Sequence, residues 1–244
     1  MRAATDMLIL ASSSPRRRAL LRAAGVEFRA IAPRAEEIPS TASARYAHLV
    51  RQAALRKAGE VARRHAGPVL GADTIVVCAG EIMGKPRDEA DARRMLRKLS
   101  GRWHSVYTGV ALVQGRGCLS QAGDPTGSPV SRKSAAPTLL ATRSRLRREP
   151  GDALAAAPRV GSERTEVAFR RLSKDEIERY LATGEPMGKA GAYAIQGRGA
   201  ALVRSVRGCY TNVIGLPVPR VLEMLEQCGV GARKGARDAR PARR

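Results

Sequence analysis

The chain predicts an α/β fold, and three observations carry that prediction. Apolar and polar segments alternate in the order β-α-β-α-β-β-α-β over the first half, the pattern of a sheet covered by helices. Pro68-Val69-Leu70-Gly71-Ala72-Asp73-Thr74-Ile75-Val76-Val77 is a nearly unbroken apolar run, as expected of a strand buried on both faces of a parallel or mixed sheet. The opening strand, Leu8-Ile9-Leu10-Ala11, runs straight into Ser12-Ser13-Ser14-Pro15-Arg16-Arg17-Arg18, a strand-to-helix junction in which Ser14 suits the N-cap and Pro15 the first helical position.

That junction is electrostatically unusual. A helix N-terminus already carries about half a positive charge, so Arg16, Arg17 and Arg18 in the first turn are unfavourable unless an anion fills the place. Phosphate fits, because both the N–H groups of a helix start and the arginine fork bind its oxygens. A solvated basic helix start is the plainer alternative. Gly25 closes this helix, and residues 26–32 read as a second strand ending at Pro33. Next comes a loop, Arg34-Ala35-Glu36-Glu37, with adjacent carboxylates. Ser40 or Thr41 caps a long helix in which Tyr46, Leu49, Val50, Ala53, Ala54, Lys57 and Val61 recur at helical spacing, with His48 and His65 on its polar side. Within the apolar run that follows, Asp73 is the lone charge, and a buried carboxylate normally holds a cation or a catalytic role. Glu81 to Pro86 reads as a hairpin return that leaves Lys85 on a constrained loop; a helix over 88–99 and a strand over 105–113 complete the half.

At Gln114 the pattern breaks. Residues 115–162 are rich in Gly, Ser, Pro, Ala and Arg without sustained periodicity, which predicts a flexible basic insertion. Regular structure resumes with a strand over 165–171, a helix over 174–182 capped by Ser173, a glycine-studded loop over 184–197, a strand over 200–206 and a final helix over 219–228. The tail, 229–244, is Arg/Ala/Gly-rich and reads as disordered. The organisation is thus one catalytic domain over 1–228, interrupted by the 115–162 insertion and followed by the tail.

Charge supports this division. The formal net charge is +22, yet 115–162 holds eight Lys/Arg against three Asp/Glu and 229–244 six against one, +5 each. The rest is compatible with an enzyme handling a polyanionic small molecule. A nucleic-acid-binding protein gripping phosphates through its basic tracts is the alternative, although 3% aromatic content argues against base-stacking platforms. Cys78, Cys118, Cys209 and Cys228 show no metal-like spacing. With no secretory signal or membrane-length apolar run, the expectation is a soluble protein in the reducing cytoplasm.

No P-loop, GxGxxG, HExxH or nucleophile elbow is present, and the scattered His48, His65 and His104 read as structural or surface residues. What remains is a set of acids and bases at strand-to-loop boundaries: Arg16, Glu37, Asp73, Lys85 and Lys189. Glu37 and Asp73 suit a hard cation such as Mg²⁺ or Mn²⁺.

Six blocks in the same order resemble the signatures of the Maf family of nucleoside triphosphate pyrophosphatases, also called septum formation inhibitors. They are the 8–18 junction, Gly71-Ala72-Asp73-Thr74, Gly84-Lys85-Pro86, Leu99-Ser100-Gly101-Arg102, the 189–197 loop and Val213-Ile214-Gly215-Leu216-Pro217. The resemblance covers about residues 7–114 and 164–228. It implies an elongated, mixed-sheet, two-lobed α/β fold like that of inosine triphosphate pyrophosphatases, with a nucleotide cleft between the lobes. It also implies hydrolysis of a nucleoside triphosphate to the monophosphate and pyrophosphate, with Mg²⁺ or Mn²⁺ as cofactor. Residue by residue, it assigns Asp73 as proton acceptor. Ser12, Arg16, Arg17, Glu37, Lys57, Lys85 and Lys189 would line the phosphate and metal site, with Glu37 and Asp73 on the metal. Arg16, Thr74 and Gln196 match the subgroup acting on dTTP and UTP, and a glutamine can pair with the O4/N3 edge of thymine or uracil. Gly188 stands where that subgroup commonly has aspartate. The resemblance leaves a homodimer open, gives no membrane role, and leaves any nucleic-acid contact to the basic insertion and tail.

Overall fold

In the computed structural model, residues 7–34, 46–116 and 157–230 are described. Glu37, the Ser40/Thr41 cap, most of the insertion and the tail beyond Val230 lie outside these residues.

The described chain forms a seven-stranded mixed sheet, as an α/β reading requires. Its strands are β1 (Leu8–Ala11), β2 (Phe28–Ile31), β3 (Ala66–Cys78), β4 (Glu81–Met83), β5 (Trp103–Arg116), β6 (Arg159–Phe169) and β7 (Val203–Arg207). The order is β2-β1-β3-β5-β6-β7, with β4 paired to β3. β1 runs parallel to β2 and β3; every other pairing is antiparallel. Helices α1 (Pro15–Ala23), α2 (Tyr46–Ala62), α3 (Glu89–Leu99), α4 (Lys174–Leu181), α5 (Tyr210–Ile214) and α6 (Val218–Gln227) cover the two faces.

Strand alternation sorts the core. Ile9, Ala11, Val69 and Ala111 face α2, where Ala54, Ala58 and Val61 meet them. Leu8, Leu10, Leu70 and Val110 face the opposite way, against Leu21 of α1 and Val221 and Leu225 of α6. Further along the sheet, Val76, Val106 and Phe169 pack with α3, α4 and Tyr193. The apolar run is buried on both sides, as expected of it.

Glycine sets the depth at which α2 lies on the sheet. A Cβ at Gly71 would stand 2.3 Å from Ala54 O, and one at Gly109 would stand 2.1 Å from Val50 O. No other residue type allows the helix backbone so close.

Several expected boundaries need correction. The insertion does not begin at Gly115 or end at Ser162, because those ends are strand: Gly115 pairs with Gly67 and Arg116 with Ala66, while Arg159 to Ser162 pair with Leu112 to Gly109. Cross-strand partners supply the order that local composition does not. The second strand is shorter than 26–32, beginning at Phe28. The 200–206 strand is β7 from Val203, preceded by a 3-10 turn over Gly197–Leu202. His65 lies beyond the end of α2 rather than on its polar side. No helix of the described residues is long and apolar enough to cross a membrane.

Candidate active site

A change of partners along β3 creates the site. On one edge, β1 pairs with Val69 to Gly71 and then leaves the sheet after Ala11, while β4 takes up the same edge from Val76 to Cys78. Between them, Ala72 to Ile75 has no strand neighbour on that edge among the described residues. Such a parting of strands is where α/β sheets leave room for ligands. Here it opens into a cleft of about 300 Å³ lined by Ser12 to Arg17, Lys57, Asp73 to Val76, Gly84 and Lys85, residues 188–190 and 193–196, and Val213 to Gly215. Every expected site residue among the described ones lines this one cleft; Glu37 lies outside the described residues.

Pleating puts Asp73 and Thr74 on opposite faces of β3. Asp73 faces α2, where Lys57 Nζ donates to its Oδ1 in a buried ion pair. The other carboxylate oxygen takes no hydrogen bond from a described residue. Thr74 faces α1 and α5. Its hydroxyl accepts from Arg17 Nη2 (3.1 Å) and lies 2.9 Å from the Thr108 hydroxyl, which in turn donates to Asn212 O (3.3 Å).

The helix start forms as the sequence suggests, with Ser14 Oγ capping the Arg17 N–H and Pro15 in the first turn. Its arginines divide in a way that charge alone does not reveal. Arg17 turns inward and is bound by neutral acceptors: Nε donates to Gly215 O (2.9 Å) and Nη1 to Ser12 Oγ (3.3 Å), besides the Thr74 contact. It ties α1 to β3 and to the turn after α5. Arg18 does not line the cleft. Arg16 does, and its buried Nε has no hydrogen-bond partner among the described residues.

Lys189 stands near Arg16. Burial pushes its ammonium below its ordinary pKa, and the Arg16 charge pushes in the same direction; burial likewise lowers the Arg16 guanidinium. Among the described residues, Lys189 Nζ donates to one acceptor, the main-chain oxygen of Glu185. Of the described cleft-lining residues, Arg16, Arg17, Lys57, Lys85 and Lys189 are cations and Asp73 is the only carboxylate. Arg16 and Lys189 are desolvated and form no ion pair with a described residue, a costly state for a cation, so this part of the cleft is suited to an anion supplied from outside.

Among the described residues no cluster of three His, Cys, Asp or Glu forms. A hard cation that keeps its waters and takes one or two carboxylates plus substrate phosphates is compatible with the one carboxylate of the described lining, Asp73. Gly188 adopts φ +70°, so although a Cβ there would enter open space, an aspartate would have to take up a left-handed backbone that favours glycine.

Two contributors escaped the sequence reading. Tyr193 lines the cleft and shares a hydrogen bond (2.9 Å) with buried His104, and Glu185 braces the 189–196 loop through Tyr180. Tyr193 acts through a partner distant in the chain, and Glu185 through contacts made only when its own loop folds back, neither of which local pattern encodes.

The Maf-like protein family model matches residues 7–136 and 137–228. A dTTP/UTP pyrophosphatase of Symbiobacterium thermophilum is 45% identical over 225 residues, covering 92% of this chain and 95% of that one. One of Moorella thermoacetica is 44% identical over 230 residues, covering 91% and 95%. Among solved structures, a HAM1 protein from Coxiella burnetii aligns at TM-score 0.40 and 16% identity over 68% of this chain and 74% of that one. The regions matched by the family model take in the basic helix start, the acid on β3 and the loop bearing Lys189 and Gln196, and the chain belongs to the Maf-like protein family.

Proposed function

We propose that the protein hydrolyses a nucleoside triphosphate, dTTP or UTP, to the monophosphate and pyrophosphate. The observation that carries this reading is the pairing, in one cleft, of under-neutralised cations at Arg16 and Lys189 with a buried acid, Asp73, already oriented by Lys57. The names of the curated relatives support the substrate.

A water held by the second oxygen of Asp73 attacks the α-phosphorus in line with the bridging oxygen. Its oxygen forms the new P–O bond, its proton passes to the Asp73 carboxylate, and the bond to the β-phosphate oxygen breaks to release pyrophosphate. Lys57 holds the carboxylate in position. Arg16, Lys85 and Lys189 stabilise charge on the phosphate oxygens and on the leaving group, with the start of α1 contributing its N–H groups. Arg17 keeps the helix start, Ser12 and Thr74 in register through its internal hydrogen bonds. Asp73 and Glu37 would hold a divalent cation, Mg²⁺ or Mn²⁺, which would neutralise phosphate charge and acidify a bound water. Gln196, exposed on the loop, reads the base. A cytoplasmic location belongs to the same proposal, supported by the free thiols of Cys78, Cys209 and Cys228.

The test is pyrophosphate release from a panel of nucleoside triphosphates, with and without Mg²⁺ or Mn²⁺, for the wild type and Asp73→Asn. Turnover of dTTP and UTP that disappears in the folded variant is expected. Wild-type rates in Asp73→Asn would remove Asp73 from the mechanism, and no release from any nucleotide would overturn the reading.

A further inference from the structure

We infer that Glu185 and Tyr180 are positioning residues for base selection: together they clamp the main chain on both sides of Gln196. The inference rests on the reading of the cleft as a pyrimidine nucleotide site and adds to it a determinant outside the cleft wall.

The geometry is specific. Glu185 Oε1 accepts from the Tyr180 hydroxyl (2.9 Å) and from the Gly199 N–H (3.0 Å), and Oε2 accepts from the Arg198 N–H (3.1 Å). Tyr180 in turn accepts from the Ala194 N–H (3.2 Å). The residues two before, two after and three after Gln196 are therefore bound to one Tyr–Glu pair. The main-chain oxygen of Glu185 also takes the Lys189 ammonium, so the same residue holds the phosphate end of the loop. Thr183 seats the clamp, accepting from the Glu185 N–H (3.1 Å) and donating to Tyr180 O (2.6 Å).

Glycine makes room for it. A Cβ at Gly197, where φ is +70°, would stand 2.8 Å from Glu185 Oε2, and one at Gly199 would stand 2.2 Å from Ala194 O. Tyr180 is 4% exposed. Burial alone would raise the Glu185 pKa, but the bonds from Gly199, Tyr180 and Arg198 hold it below the ordinary carboxylate range, in keeping with an acceptor filled by three donors.

The consequence for selection follows from amide symmetry. Uracil and thymine offer an acceptor at O4 and a donor at N3, whereas cytosine offers the reverse pair. A glutamine amide matches either set if it is free to turn over. Discrimination therefore depends on the orientation in which the backbone presents Gln196, and that backbone is what the clamp holds.

The experiment compares kcat/KM for dTTP and dCTP in the wild type, Glu185→Gln, Tyr180→Phe and the double variant, each checked for its unfolding midpoint. Glu185→Gln replaces an acceptor-only carboxylate by a group that must turn an NH2 toward a donor. The expected result is a loss of at least about tenfold in the dTTP:dCTP ratio in both single variants, as small misplacements of positioning groups produce. The double variant should lose little more than either single, since the two side chains act as one unit. Equal loss of both substrates with the ratio intact, whether in kcat or KM, overturns the inference and leaves the residues as loop supports. Tyr180→Phe keeps both backbone bonds of Glu185 and decides the case if Glu185→Gln does not fold. A wild type that releases no pyrophosphate from any nucleotide refutes instead the reading of the site, so the two failures are distinct.

Discussion

Gly109→Ala probes how closely α2 must approach the sheet for the site to exist. The new methyl group would lie 2.1 Å from Val50 O, 2.2 Å from Val50 C and 2.6 Å from Arg51 N, all backbone atoms that no rotamer change can move. Restoring ordinary contact distances requires the helix to retreat by roughly 1 Å or more. Overpacking of this kind costs about 1–3 kcal/mol. Gly109 is also the cross-strand partner of Asp73, and Lys57 lies two turns beyond Val50 on the same face of α2, so the retreat lifts the ammonium from the carboxylate and adds to the cost. We expect about 3 kcal/mol of destabilisation in urea unfolding and a fall of about 10²-fold in kcat for pyrophosphate release. Gly59→Ala is the control on the same helix: its Cβ meets nothing within 4 Å, and replacing a helical glycine should stabilise by about 0.5–1 kcal/mol. A Gly109→Ala protein with wild-type stability and rate would refute the reasoning, as would equal destabilisation by both substitutions.

Further outcomes follow from the buried groups. Lys57→Met strands the Asp73 carboxylate, whose side chain is 10% exposed, and should cost about 3 kcal/mol; adding Asp73→Asn should restore much of that in the unfolding midpoint, and no recovery would argue against the pair. His104 is 4% exposed and its pKa is lowered from 6.5 to about 4 by burial. Because the folded chain then binds fewer protons than the unfolded one, stability is complete above about pH 6.5 and falls as pH drops toward 4, by about 3 kcal/mol in all. His104→Gln should lack that component of the pH profile, and parallel profiles would disprove it. Removing residues 117–156 and 231–244 should leave pyrophosphate release intact, whereas a protein built to grip nucleic acid would lose its affinity; the two assays are run on the same deletion variant.

Much of this arrangement was legible in the residues themselves. The Ser14 cap, Pro15 and the apolar run around Asp73 are local signals, and each forms as its chemistry dictates. The extension of β5 and β6 into a stretch of Gly, Ser and Arg was not legible, because Gly115 and Gly161 are ordered by Gly67 and Val110 across the sheet and not by their own propensity. The triple-arginine motif was legible as charge but not as geometry. Arg17 satisfies main-chain and hydroxyl acceptors contributed by residues as distant as Gly215, while Arg16 keeps a buried N–H unpaired among the described residues, and no spacing rule separates the two. The Glu185–Tyr180 clamp was hidden for the same reason, since its donors converge only once the 184–199 loop has closed on itself.

The interrupted edge of β3 also bears on solubility. An uncovered strand edge is a template on which foreign chains assemble into aggregates, and evolution usually blunts it with charge or keeps it short. Here, among the described residues, the gap between the two neighbours is just Ala72 to Ile75, with β1 and β4 as stops on either side, so an intruding peptide finds too little length there to zip onto. The cleft's cations flank the same opening, so one recess is suited to a small anion while turning away another polypeptide.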